Sequence, residues 1–163
     1  MRWLALAMMS AITSVPLGAV AAEIPLTIED MVQKLVVPAK NRSLVAAARN
    51  LTPALDLTVN FDFDSAHLHE GSRGVLNNLA SALVDPRLMN LRFLVEGHTD
   101  ARGTASYNDQ LSGRRAEAVV AFLVEAGVAR ERLESVGKGF RELLDPTAPM
   151  SAVNRRVRIS TLQ

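Results

Sequence analysis

The apolar positions of this chain change period several times, and each change marks an element. Leu57, Val59, Phe61 and Phe63 alternate with Thr58, Asn60, Asp62 and Asp64, the period of two expected of a half-buried strand. Val75, Leu76, Leu79, Ala82 and Leu83 then recur at helical spacing until Asp85-Pro86 ends the run. Residues 91–96 (LRFLVE) predict a second strand, and residues 97–103 the loop that leaves it. A long helix is predicted over residues 105–126, with Gly127 as its stop. Residues 133–140 read as a short strand containing two glycines, and 145–149 as a turn-rich loop. Over residues 154–161 a last strand puts Val157, Ile159 and Thr161 on one side and Arg156, Arg158 and Ser160 on the other. The order β-α-β-α-β-β predicts an α+β fold of two layers, with two helices packed on one face of a small mixed sheet.

The front of the chain follows other rules. Arg2 precedes an apolar run over residues 3–12, Pro16 and Gly18 break it, and the segment closes on Ala19-Val20-Ala21-Ala22. A positive start, a short apolar middle and a small-residue exit are the layout of a secretory signal peptide, here residues 1–21, or 1–22 if cleavage follows Ala22. The alternative is a retained membrane anchor, but the purely apolar part is shorter than the ~20 residues a span needs. Residues 22–56 form a tether carrying Pro25, Pro38 and Pro53. Within it Ile28, Met31, Val32, Leu35 and Val36 keep the spacing of an amphipathic helix, which Pro38 ends. That helix either folds back onto the domain or docks a periplasmic or outer-membrane protein partner or a second copy of the chain. Residues 57–163 make the folded domain.

Composition removes several function classes. The 163 residues hold no cysteine, so there is no disulfide framework, thiolate zinc site, cysteine nucleophile or lipidated cysteine. Eighteen Lys+Arg stand against 17 Asp+Glu, without the concentrated basic excess of a nucleic-acid binder. Arg2 leaves with the leader, which brings the two counts level. His67, His69, His98 and Asp100 could be imagined around a metal, but their spacing does not place two ligands on one helix face. No serine elbow, phosphate-cradling loop or carboxylate pair set for glycoside cleavage is present. The chain therefore reads as a binding protein and not an enzyme, with no metal or cofactor.

The most informative residue lies in the long helix. Its apolar stripe runs Leu111, Val119, Phe122 and Ala126, and Arg115 falls four residues after Leu111 and four before Val119. A guanidinium on that stripe needs a partner. The strand-exit loop offers Asp100, lying near the helix start with its free backbone N–H groups. On spacing alone the Asp100–Arg115 pair either fixes the loop only or carries a function.

The spaced residues Glu96-Gly97-His98-Thr99-Asp100, Gly103, Asn108, Leu111-Ser112 and Arg114-Arg115-Ala116 resemble the signature of the OmpA-like C-terminal domain family, which includes MotB-type and Pal-type domains. Phe63-Asp64-Ser65, Gly127-Val128, Arg132-Leu133, Val136-Gly137-Lys138-Gly139 and Asn154-Arg155-Arg156-Val157 extend the likeness over residues 57–162. The resemblance implies an OmpA-like two-layer sandwich that binds peptidoglycan non-covalently, chiefly through the meso-diaminopimelate of the stem peptide. By that likeness Asp100 takes the ammonium and Arg115 the carboxylate of the diaminopimelate end, while Thr99, Asn108 and Asp64 line the pocket and Arg155 lies near it. With no ligand bound, Asp100 and Arg115 would satisfy each other. Pal-type lipidation and an outer-membrane barrel find no counterpart, so the resemblance implies a periplasmic domain that ties itself or a partner to the cell wall. The other expectation is a scaffold or oligomerisation module that docks through residues 23–51.

Overall fold

The computed structural model describes residues 26–36, 52–62 and 64–162. The expected leader, most of the tether and Phe63 lie outside them. The elements run α1 (Ile28–Leu35), β1 (Ala54–Leu57), α2 (Arg73–Leu83), β2 (Arg92–His98), α3 (Ala105–Glu125), β3 (Leu133–Gly139) and β4 (Val157–Leu162). The sheet order is β1-β4-β2-β3, with β4 antiparallel to both neighbours and β2 parallel to β3. Phe93 and Val95 of β2, Val157 and Ile159 of β4, and Leu55 and Leu57 of β1 share one core with Leu76, Leu79 and Leu83 of α2 and Val119 and Leu123 of α3. The α+β architecture read from periodicity is the one observed.

A third helix joins the two expected ones on that core. In α1, the Thr27 hydroxyl caps the N-terminus by accepting from Asp30 N, and the Asp30 carboxylate accepts in turn from Thr27 N, a reciprocal capping box. Met31, Val32 and Leu35 are fully buried in the chain's own core, and Thr161 Oγ1 in β4 donates to Leu35 O at 3.2 Å. Glu29 accepts two bonds from Arg87, beyond the end of α2. The apolar face of α1 is therefore occupied within this chain.

The first strand is displaced from its expected place. Its alternation predicts pairing over residues 57–64, yet β1 is Ala54–Leu57, because Leu57 pairs with Val157 and β4 begins there. Beyond Leu57 the backbone leaves the sheet and is held by Asp62 N donating to His67 O and His69 N to Asn60 O, each 3.0 Å. Val59 stays buried and Phe61 half-buried, so the period of two persists as burial against the core without a partner strand. At the other end β4 starts at Val157 and not at 154, since Ala152–Asn154 is a 3-10 turn.

Two glycines let α3 lie directly on β2 and β3. A Cβ on Gly137 would come within 2.5 Å of Asp109 O and Gly113 N, and one on Gly97 would collide with the Ser112 carbonyl. Ser112 is fully buried at the seam, donating to Asp109 O at 3.0 Å and accepting from Gly139 N at 2.9 Å. This contact of backbone with backbone fixes the start of α3 beside the C-terminal ends of β2 and β3. At its far end α3 stops where Gly127 takes φ +98 and Val128 N reaches back to Leu123 O at 3.0 Å, a glycine C-terminal motif.

Candidate functional site

Four pieces of chain converge above that seam: the loop from β2 to α3, the first turns of α3, the segment after β1, and the turn before β4. They enclose an open cavity of about 460 Å³. All six residues singled out from sequence line it: Asp64, Thr99, Asp100, Asn108, Arg115 and Arg155. So do Phe61, Asp62, Arg102, Tyr107 and Leu111, none of which was read as a site residue. Arg102 and Tyr107 flank motif positions in the sequence, which was the only signal available for them.

Arg115 does not sit where the helical stripe places it. The buried face of α3 is Asn108, Leu111, Ser112, Ala116, Val119, Val120 and Leu123, one position round from the stripe drawn through Phe122 and Ala126, which are half-buried and exposed. Arg115 is half-buried at the edge of that face. Its Nε donates to Ser65 O at 3.0 Å, and its guanidinium carbon stacks 4.8 Å from the Phe61 ring centroid, a cation–π contact. Among the described residues no carboxylate pairs with it and its two terminal nitrogens have no acceptor. Burial pushes its pKa down first, the Arg155 guanidinium adds to that, and Asp100 and Asp64 oppose it. An arginine nonetheless stays charged at neutral pH.

The expected Asp100–Arg115 pair is not formed. Asp100 Oδ2 instead accepts from Arg155 Nη1 at 2.8 Å, and Oδ1 accepts from the backbone N–H of Arg102 at 3.2 Å. The reason is local. The turn at residues 152–154 delivers Arg155 to the β2 exit loop, which is held by Thr99 N donating to Gly139 O and Ala101 N to Pro149 O. The Asp100 side chain is 9% exposed and that of Arg155 44%.

The remaining expected residues have distinct places. Asn108 is buried and its amide nitrogen donates to Arg102 O at 2.7 Å and Thr104 O at 3.1 Å, so it fastens the loop to α3. The Thr99 hydroxyl is buried without a partner among the described residues. Asp64 adopts φ +52, a left-handed conformation that Asp tolerates better than most side chains, and accepts from the Tyr107 hydroxyl. The histidines scatter: His67 Nδ1 pairs with Asp62 at 2.8 Å, His69 Nδ1 accepts from Gly71 N, and His98 is buried at the end of β2. His98 has no partner on either ring nitrogen among the described residues, and burial with the nearby Arg156 pushes its pKa down to about 4.

The OmpA family model matches residues 60–157, which carry every cavity-lining residue. Outer membrane porin F of Pseudomonas fluorescens is 42% identical over 108 residues, covering 65% of this chain and 32% of the porin. A peptidoglycan-associated lipoprotein of Mesorhizobium japonicum is 38% identical over 100 residues, covering 58% of this chain and 58% of the lipoprotein. This chain thus spans less than two thirds of the length of those curated relatives. The crystal structure of the peptidoglycan-associated lipoprotein from Burkholderia pseudomallei is 32% identical, superposes with a TM-score of 0.54 and covers 64% of this chain and 88% of that one. The family match spans more than half of the chain, and the chain belongs to the OmpA family.

Proposed function

We propose that the cavity binds the peptidoglycan stem peptide non-covalently at the meso-diaminopimelate residue, and that the protein is an exported wall-binding module of the periplasm and not an enzyme. One observation carries the reading: Arg115 is a half-buried guanidinium with a single backbone acceptor, and its terminal nitrogens take none from the described residues. A cation so placed is unfinished without an anion. The planar guanidinium can hold a ligand carboxylate through two parallel bonds, while Asp100, buried in the same cavity, supplies the charge for an adjacent ammonium. A volume of about 460 Å³ suits the end of a peptide. The names of the two peptidoglycan-associated lipoproteins support the choice of polymer.

Sedimentation with purified sacculi tests the reading. Wild type is expected in the pellet, and Asp100→Ala and Arg115→Ala in the supernatant, each with a melting temperature close to wild type. Equal sedimentation of all three proteins would remove these residues from the site.

A further inference from the structure

We propose that Arg155 is an internal occupant of the ammonium position, and that the cavity takes its ligand by exchanging this guanidinium for the ligand's own cation. The inference rests on the reading of the cavity as a site for the zwitterionic end of a stem peptide, and it adds the source of selectivity for that end.

Asp100 is the buried carboxylate of the cavity, whereas Asp62 and Asp64 are exposed and engaged with His67 and Tyr107. Both Asp100 oxygens are already in use, one by Arg155 Nη1 at 2.8 Å and one by the Arg102 N–H at 3.2 Å. Each oxygen has room for a second bond, but a ligand ammonium approaching Asp100 meets the like-charged Arg155 guanidinium, and of the two present partners only Arg155 can leave. The Arg102 bond is a tight turn within the loop, while Arg155 reaches Asp100 on a long side chain that is 44% exposed.

The backbone beneath Arg155 is held firmly. Asn154 is fully buried, its Nδ2 donates to Ala148 O at 3.0 Å and Pro149 O at 3.2 Å, and its Oδ1 accepts from Asp145 N at 2.9 Å. Exchange then requires only that the guanidinium swing out while its Cα stays.

Charge balance makes the exchange selective. An ammonium alone, as on a lysine side chain, would displace Arg155 and leave it beside Arg115 with no anion between them. Proximity to Arg155 already disfavours the charged form of Arg115. A ligand that carries a carboxylate next to its ammonium takes one anion from the guanidinium pair and returns one. Diaminopimelate satisfies that exchange and lysine does not.

The test titrates wild type and Arg155→Gln with two soluble tripeptides, L-Ala-γ-D-Glu-meso-diaminopimelate and L-Ala-γ-D-Glu-L-Lys. With the competitor gone, Arg155→Gln is expected to bind the lysine tripeptide about two- to fivefold tighter than wild type, the range of a half-exposed ion pair. The preference for the diaminopimelate tripeptide is expected to shrink. Folded Arg155→Gln that binds the lysine tripeptide no better than wild type would overturn the exchange while leaving the site intact. Wild type that binds neither tripeptide would overturn the reading of the cavity itself. A second measurement needs no variant: the Arg155 side-chain Nε–Hε resonance of ¹⁵N-labelled wild type should move as the diaminopimelate tripeptide is added, and a stationary resonance at saturation would also overturn the exchange.

Discussion

Arg115 and Arg132 are the same residue in nearly the same surroundings, and they end up differently. Both are half-buried, both lie over a phenylalanine ring (Phe61 at 4.8 Å, Phe93 at 5.4 Å), and burial is the first cause lowering each pKa. Arg132, however, is complete. Its Nε, Nη1 and Nη2 donate to Leu91 O, Leu83 O and Leu88 O at 2.9, 2.9 and 2.7 Å. Leu83 ends α2, so one of those bonds serves a carbonyl that has no partner within the helix. Arg115 has one carbonyl and an open cavity. The saturated guanidinium ties three segments of the fold together, whereas the other keeps its terminal nitrogens free of acceptors among the described residues and faces the cavity.

That contrast can be broken most directly with two truncations. Arg115→Ala is expected to lower affinity for a diaminopimelate stem peptide at least about 100-fold, near 3 kcal/mol, because a charge-assisted bidentate contact is lost. Titration calorimetry measures it, and urea unfolding should show little change. Arg132→Ala should do the reverse, destabilising the domain by about 3 kcal/mol as three carbonyls each lose a charged donor, Leu88 O keeping only its bond from Leu91 N, with peptide affinity retained in the folded fraction. An Arg132→Ala protein of wild-type stability would dissolve the comparison.

His98 tests the clause about the cavity. Its ring nitrogens have no partner among the described residues, but it is buried and does not line the cavity. The charges of Arg156 and Arg158 disfavour its protonation, and those of Glu142 and Asp56 oppose them. Its pKa, lowered from 6.5 to about 4, means that the folded state binds the proton less readily than the unfolded chain. Its contribution is thus fully present above pH 6.5 and is lost as pH falls toward 4, by roughly 2–3 kcal/mol. Urea unfolding across that range should be steeper in pH for wild type than for His98→Gln. Parallel curves would mean that His98 does not titrate below its ordinary value.

Gly137→Ala joins the two regions. The added Cβ would meet Asp109 O and Gly113 N at 2.5 Å, costing about 1–3 kcal/mol as α3 is forced off the sheet. Because α3 also carries Arg115, peptide affinity should fall with stability, which calorimetry on the folded fraction would separate. The smallest effect is expected from Tyr107→Phe. Removing the hydroxyl that Asp64 accepts from should change stability by less than about 1 kcal/mol, since the pair is exposed.

Much of the architecture was legible because hydrophobic period is a local property. The helices over residues 73–83 and 105–125 and the strands at 92–98, 133–139 and 157–162 follow from spacing and from stops such as Pro86 and Gly127. The first strand was misplaced for a physical reason: Val59 and Phe61 alternate because they face the core, and pairing stops at Leu57 because its partner Val157 is the first residue of β4. The six candidate residues do share one cavity, but their partners were not legible. Arg155 and Asp100 are 55 positions apart, and only the turn at residues 152–154 brings them together.

By itself the sequence determined the order and type of the elements, a glycine-bearing loop after β2, the capping and stopping of the helices, and which residue types converge. Tertiary structure decided the rotation of α3 about its axis, which moved Arg115 from the core stripe to its edge. It also decided the burial of α1 in the common core, the close seating of α3 on Gly97 and Gly137, and the choice of Arg155 over Arg115 as the partner of Asp100. Those outcomes depend on shifts of a few ångströms between segments distant in the chain, which no local pattern encodes.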